Sequence, residues 1–266
     1  MVVCTLGDLL LDVVVKLAKS LEAGDDTGAE TRVGAGGQAA NVAAWAAALG
    51  AEARFVGKRG ADAAGELVED DLLRRAVDVL GPPPTGRNGV VVSLVGLDGN
   101  RTMASDRGVA PELAPGEIVP EWFAGAAWLH LSGYSLMREP IGSAAERAAE
   151  LARAAGTQVS VDLSSVNVIR EFGAGRLAER LARIGPDAIF GNEAEHAELA
   201  ATGENLIVKR GPRGATIAGE DHPPVPGEVV DTTGAGDALA AGYLVGGPGL
   251  AMDAAARCVA QLGTMP

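Results

Sequence analysis

The chain has 266 residues, 47% of them hydrophobic, which is enough to bury the core of one large α/β domain with a small appendage. Its formal net charge of −13, with no Lys/Arg cluster, excludes a nucleic-acid-binding face and points to a protein that handles small molecules. No stretch is apolar for the length of a bilayer and no charged leader precedes a long apolar run, so a cytoplasmic protein without membrane span or signal peptide is expected.

Val2 to Leu6 is a short apolar run closed by Gly7 and reads as a buried strand. Leu9 to Val15 and Glu30 to Val33 read as strands with no helix between them. Val42, Trp45, Ala46 and Leu49 fall at helical spacing, and Gly50 stops that helix. Ala53 to Val56 is a strand, Leu67 to Leu80 an amphipathic helix, and Gly81-Pro82-Pro83-Pro84 a stiff connector. Gly89 to Leu97 and Arg101 to Ser105 form a second pair without a helix, with Asp98-Gly99 as a two-residue hairpin turn. Short apolar strands follow at 128–131, 159–163, 188–190 and 206–208, separated by Ala-rich helices at about 143–155 and 175–184. Strands alternating with helices imply a mainly parallel sheet covered on both faces, an α/β/α sandwich. The four strands that lack helices form either a small separate sheet or ordinary surface hairpins. Cys4 and Cys258, the only cysteines, read as buried small hydrophobes and not as a disulfide.

The most informative segment is Asp231-Thr232-Thr233-Gly234-Ala235-Gly236-Asp237, which runs into an apolar helical stretch. Glycines just before a helix let backbone N–H groups converge where the positive end of the helix dipole lies, so Gly234, Ala235 and Gly236 form an anion cradle. Asp237 at its mouth is placed to accept a proton from a hydroxyl, which suggests phosphoryl transfer to an alcohol. The alternative is a helix-capping Asp after a glycine turn. Gly34-Ala35-Gly36-Gly37-Gln38-Ala39 fits a loose dinucleotide fingerprint but does not open the first βαβ unit, and no P-loop pattern exists.

The seven-residue string resembles the C-terminal motif of the ribokinase-like (PfkB) carbohydrate kinases. Gly7-Asp8 and Asp12, followed by Gly36-Gly37-Gln38-Ala39-Ala40-Asn41, are similar to that family's sugar-binding segment. Gly57, Gly60, Asp62 and Gly65 match its next glycine-rich stretch, Asn192-Glu193-Ala194-Glu195 its Asn-x-x-Glu element, and Lys209-Arg210-Gly211 with Gly214 its nucleotide-bordering strand and turn. The matches follow the family's order over nearly the whole chain. The resemblance implies a ribokinase-like fold, with residues 1–8, 36–86 and 108–266 as the core and 9–35 and 87–107 as a β lid over the sugar that often mediates dimerisation.

It further implies an ATP-dependent sugar kinase with Asp237 as general base. Asp12, Gly36, Gly37, Asn41 and Arg107 would bind the sugar, and Lys209, Gly211, Gly214 and Thr232 the nucleotide. Asn192 and Glu195 would orient Mg²⁺, and Asp231 and Thr233 would supply half of a monovalent-cation site. Each has a plainer reading: Asp12 a solvated strand-end acid, Asn41 a helix-start polar residue, Arg107 a structural arginine, Glu193 and Glu195 first-turn helix acids. His130 reads as a core histidine, and Asp162 ends a strand on the ligand-binding side with its role open. Gly108-Val109-Ala110 lacks an Asn common after the lid's Arg-Gly, a helix common before Leu206 is missing, and Gly219 to Val229 is short where relatives build the adenine pocket. The sequence extends 29 residues past Asp237 (266 − 237), where relatives usually continue and complete the adenine and cation sites. Competing readings are a nucleoside kinase of the same fold, with Phe55 or Tyr134 stacking on the base, and a non-catalytic sugar-binding protein.

Overall fold

The computed structural model describes residues 1–97, 101–201, 203 and 205–266. In chain order the strands are β1 (Val2–Leu6), β2 (Leu10–Leu17), β3 (Ala29–Gly36), β4 (Glu52–Val56), β5 (Val77–Leu80), β6 (Asn88–Val95), β7 (Arg101–Gly108), β8 (Ala126–Ser132), β9 (Gln158–Asp162), β10 (Ala188–Asn192), β11 (Leu206–Lys209), β12 (Ala215–Ile217) and β13 (Glu220–His222). The helices are α1 (Gln38–Ala48), α2 (Ala63–Arg74), α3 (Gly133–Leu136), α4 (Ile141–Ala154), α5 (Val166–Phe172), α6 (Ala174–Ile184), α7 (Glu193–Glu198) and α8 (Ala235–Val259), the last broken at Gly246-Gly247 ahead of Pro248.

The main sheet runs β13-β12-β11-β10-β9-β8-β1-β4-β5. From β11 to β5 every pair is parallel; only β12 and β13 are antiparallel. Period-2 alternation sends successive residues of β1 to opposite cores: Val3 packs with Trp45, Phe55 and Leu72 on one face, Cys4 with Ile141, Ala145 and Leu177 on the other. This is the α/β/α sandwich that the alternating strands and helices predict. Both cysteines are free and buried. No helix among the described residues is long and apolar enough to cross a membrane.

The helix expected over Leu67 to Leu80 is corrected. Helix α2 ends at Arg74, Ala76 turns to φ 59, and Val77–Leu80 becomes β5, paired with β4 from Ala53↔Val77 to Val56↔Leu80. Val77 and Val79 gain sheet pairing and burial that continued helix would deny them. No helix lies between α7 and β11 among the described residues.

The four strands without helices form a separate sheet in the order β3-β2-β6-β7, with β2 and β6 parallel at its centre. The Asp98-Gly99 turn lies outside the described residues. This small sheet is tied to the core at the start of α2. One oxygen of Asp62 caps the helix through the Gly65 N–H at 3.0 Å, and the other accepts the Asn88 N–H at 3.1 Å. The Asn88 side chain in turn accepts the Gly60 N–H at 3.1 Å. A Cβ on Gly60 would lie 2.2 Å from the Asn88 nitrogen, so the junction requires glycine there.

Candidate active site

Parallel strands place their carboxyl ends along one edge, and here four neighbouring strands end in polar residues: Ser132 on β8, Asp162 on β9, Asn192 on β10 and Lys209 on β11. The first turn of α8 and the start of α1 close over that edge. Gly234 caps α8 with φ 79, and a Cβ there would lie 2.9 Å from Thr264. A Cβ on Gly236 would sit 3.2 Å from the Lys209 Nζ, so the ammonium borders the backbone donors of the loop.

Asp237 is half-buried at this helix start. Its Oδ2 accepts the Asn41 Nδ2–H at 2.7 Å. Burial pushes its pKa up to about 7; the Asn41 bond opposes this, the Asp162 charge adds to it, and Lys209 and Gln38 pull it down. Lys209 donates to Asp162 Oδ2 at 2.6 Å. Burial alone would lower the Lys209 pKa, but Asp162, with Glu195 and Asp237 around it, holds it above its ordinary value. The other Asp162 oxygen accepts the Ser164 N–H at 2.9 Å.

Asn192 and Glu195 form a reciprocal cap on α7: Glu195 accepts the Asn192 N–H and Nδ2–H, both at 2.8 Å, and Asn192 Oδ1 accepts the Glu195 N–H at 2.9 Å. Burial raises the Glu195 carboxyl pKa while Lys209 lowers it. The first-turn reading is thus realised, and each carboxylate oxygen keeps a lone pair for a further donor. That donor set fits a hydrated divalent cation held through its waters better than direct ligation. Among the described residues no cluster of three His, Cys, Asp or Glu side chains could hold a metal by itself.

On the small-sheet side, the Asp12 carboxylate lies over Gly36, where a Cβ would come within 2.1 Å of it. Gly37, at φ 102, would bring a Cβ within 2.3 Å of the Asp8 carbonyl. Asn41 is engaged at both ends, since its Oδ1 accepts the Thr264 hydroxyl at 3.0 Å. Arg107 pairs with Asp8, and its guanidinium stacks on Tyr134 at 4.5 Å. A cavity of 360 Å³ here is lined by Asp12, Ser93, Met103, Thr233 and Thr264, among others. A second cavity, of 450 Å³, lies beyond the glycine loop, with Gly211, Gly214, Thr232, Val225, Leu239 and Met252 in its walls. The short 219–229 segment therefore does contribute walls. Gly214, at φ 85, would bring a Cβ within 2.0 Å of the His222 carbonyl.

Asp231 accepts the Thr233 N–H at 2.8 Å and the Gly263 N–H at 3.0 Å, tying Gly263 to the start of the glycine loop. Trp45 Nε1 donates to the Thr264 carbonyl at 2.9 Å, which anchors the same segment to α1. Of the sequence candidates, Asp237 is bonded to Asn41 and lies within the electrostatic reach of the Lys209–Asp162 pair. Asp12 and Arg107 lie towards the small sheet, Thr232, Gly211 and Gly214 at the second cavity, and Asp231 and Thr233 under the loop. No sequence motif marks Ser132, Ser164 or Thr264, although a polar residue ending an apolar strand could have flagged Ser132. Phe55, considered for stacking on a base, is fully buried in the core and cannot serve. His130 is a core residue, with Nδ1 bonded to the Ser160 hydroxyl at 2.9 Å; burial pushes its pKa down to about 4.

A helix start that can hold a phosphoryl group, with a carboxylate beside it and cavities on two sides, belongs to the small-molecule kinases of α/β fold. The chain is a member of the pfkB family carbohydrate kinases, whose family model matches residues 2–248. It is 32% identical over 259 residues to an ATP-dependent ribose-1-phosphate kinase of Halopiger xanaduensis, covering 91% of this chain and 83% of that protein. It is 32% identical over 239 residues to a fructokinase of Klebsiella pneumoniae, covering 79% of this chain and 76% of that one. The crystal structure of adenosine kinase from Sinorhizobium meliloti superposes with a TM-score of 0.85 at 25% identity, covering 99% of this chain and 95% of that one.

Proposed function

We propose that this kinase transfers the γ-phosphoryl group of ATP to a hydroxyl of a sugar or sugar derivative, with Asp237 as general base. The observation that carries this reading is the position of the Asp231–Asp237 loop: Thr233 lines one cavity, and Thr232, Ala235 and Gly236 line the other. In this reading the sugar occupies the cavity beside Asp12 and the nucleotide the more apolar one. The acceptor hydroxyl loses its proton to Asp237 as its oxygen bonds to phosphorus and ADP departs. The backbone N–H groups of 234–236 and the Lys209 ammonium meet the phosphoryl charge. When bound, Mg²⁺ supplies charge neutralisation on the donor phosphates; Asn192 and Glu195 are the residues that would hold its waters. Asp231 and Thr233 are proposed as part of a monovalent-cation site. The small sheet is proposed as a lid, with 9–35 and 87–107 as its limits.

Because Asp237 acts as a base only when ionised, kcat/KM is expected to rise with pH through about 7, with unit slope on the acid side. A profile flat between roughly pH 5 and 9 would contradict the assignment. Asp12→Ala is expected to weaken sugar binding at least tenfold while leaving ATP affinity within about threefold, read by calorimetry. Unchanged sugar affinity would remove Asp12 from the site.

A nucleoside acceptor is the second reading, favoured by the likeness to the adenosine kinase and by the Tyr134 ring beside Arg107. ADP release measured against ribose 1-phosphate, ribose, fructose and adenosine separates the two readings.

Val13, Val33, Val92 and Ala104 share one face of the small sheet through cross-strand pairing, and Val33 is 56% exposed. A second copy covering that face in a C2 dimer is expected. Light scattering at micromolar concentration with both substrates present checks this; a monomeric mass would refute it.

A further inference from the structure

Asn41, near the start of α1, is only 5% exposed, and its amide is engaged at both ends. Nδ2 donates to Asp237 Oδ2 at 2.7 Å, and Oδ1 accepts the Thr264 hydroxyl at 3.0 Å. The two ends of a carboxamide are alike in shape and differ only as donor and acceptor. An ionised carboxylate only accepts, so the nitrogen must be the end that faces Asp237. The helix start that carries Asn41 is itself fixed. The Asn41 N–H bonds the Gly37 carbonyl at 2.9 Å, and Gln38 Oε1 accepts the Ser132 and Ser164 hydroxyls at 2.6 and 2.5 Å. The freedom left to Asn41 is rotation of its amide, and the Thr264 hydroxyl opposes that rotation.

Thr264 lies in no helix or strand, yet its position is set from several sides. Trp45 Nε1 donates to its carbonyl at 2.9 Å. On one side of it the Gly263 N–H bonds Asp231 at 3.0 Å, and on the other the Met265 carbonyl accepts Gln261 Nε2 at 2.8 Å. Thr264 also closes on the loop that leads to the base: a Cβ on Gly234 would lie 2.9 Å from the Thr264 Cα and 3.1 Å from its Cβ. Gly234 caps α8 just ahead of Asp237. One residue thus touches both the loop that presents the carboxylate and the amide that holds it.

We infer that Thr264 is a positioning residue for phosphoryl transfer: its hydroxyl holds the Asn41 amide so that Nδ2 stays on one Asp237 oxygen and the other oxygen is left to the acceptor hydroxyl. The inference rests on the proposal that Asp237 is the general base. Without the hydroxyl, the buried Asn41 oxygen loses its donor, the amide turns to relieve it, and the carboxylate loses its aim. Thr264 also lines the cavity beside Asp12, so direct contact with the sugar is the competing role.

The test measures kcat and both KM values in the full-length protein and in Thr264→Val, Thr264→Ser, Asn41→Ala, Asn41→Ala with Thr264→Val, and Asp237→Asn. Valine keeps the shape of threonine and removes the hydroxyl; serine keeps the hydroxyl and removes the methyl. Thr264→Val is expected to lower kcat about tenfold with both KM values within about threefold, and Thr264→Ser to stay within about threefold of the parent throughout. In the Asn41→Ala background, Thr264→Val should change kcat by less than about twofold, because the hydroxyl acts through the amide. Thr264→Ala carries the expectations of Thr264→Val where the valine variant fails to fold. Parent-like kcat in Thr264→Val, with Asp237→Asn inactive, would overturn the role of Thr264 and leave the base assignment standing. A kcat as low in Thr264→Ser as in Thr264→Val would overturn it too, since the methyl and not the hydroxyl would then matter. So would a full tenfold loss on adding Thr264→Val to Asn41→Ala, or a sugar KM raised tenfold at constant kcat, which would make Thr264 a sugar ligand. Turnover retained by Asp237→Asn would overturn the base assignment and this role with it.

Discussion

Asp237→Asn is expected to lower kcat by ~10³ or more while leaving the sugar Kd within about threefold. Asn preserves the shape and can still accept the Asn41 Nδ2–H, but it cannot take a proton from a hydroxyl. The stability of the variant should move the other way. The folded-state pKa of Asp237, about 7, lies above that of an unfolded Asp, so its ionisation is disfavoured by folding. That penalty is absent at pH 4 and grows as pH rises through 7. Thermal unfolding should therefore find Asp237→Asn more stable than the parent at pH 8 and equal to it near pH 4. A less stable variant at pH 8 would mean that Asp237 is held by stabilising contacts, contrary to its raised pKa. Turnover within a few-fold of the parent would remove Asp237 from the chemistry.

Lys209→Met should damage both folding and activity. The Asp162 side chain is 1% exposed and relies on the Lys209 ammonium at 2.6 Å. Removing one partner of a buried pair leaves an uncompensated charge, typically a loss of about 3–5 kcal/mol. Here the orphaned carboxylate would also face Glu195 and Asp237, and turnover is expected to fall ~10²-fold as the anion loop loses its neighbouring cation. Urea unfolding should show the loss as a lower midpoint than the parent's. Adding Asp162→Asn to Lys209→Met should restore most of the stability and little of the turnover. If Lys209→Met alone unfolds like the parent, the ion pair contributes nothing to the fold and its role in the site must be reconsidered.

The parallel strands were legible because burial on both faces demands continuous apolar runs such as Val2 to Leu6 and Leu206 to Val208. Strand β5 was not, because Leu67 to Leu80 keeps apolar residues at helical spacing across the break. The break itself is the positive φ of Ala76, which an alanine does not advertise. Strands β12 and β13, three residues each, are too short to carry a period. At the site, Asp237 and its glycines could be read because helix-terminus chemistry is local in sequence. Gln38, Ser132, Ser164 and Lys209 form one network only because parallel register and the α1 packing bring their separate segments to one edge. No spacing in the chain encodes that meeting.

The most direct test of the central claim is coupled ADP release from ATP and Mg²⁺, measured for the parent and for Asp237→Asn with ribose 1-phosphate, ribose, fructose and adenosine in turn. The account predicts acceptor-dependent release by the parent with at least one sugar or sugar phosphate, and its near-complete loss in Asp237→Asn. Release that needs no acceptor, or that survives equally in Asp237→Asn, would contradict it.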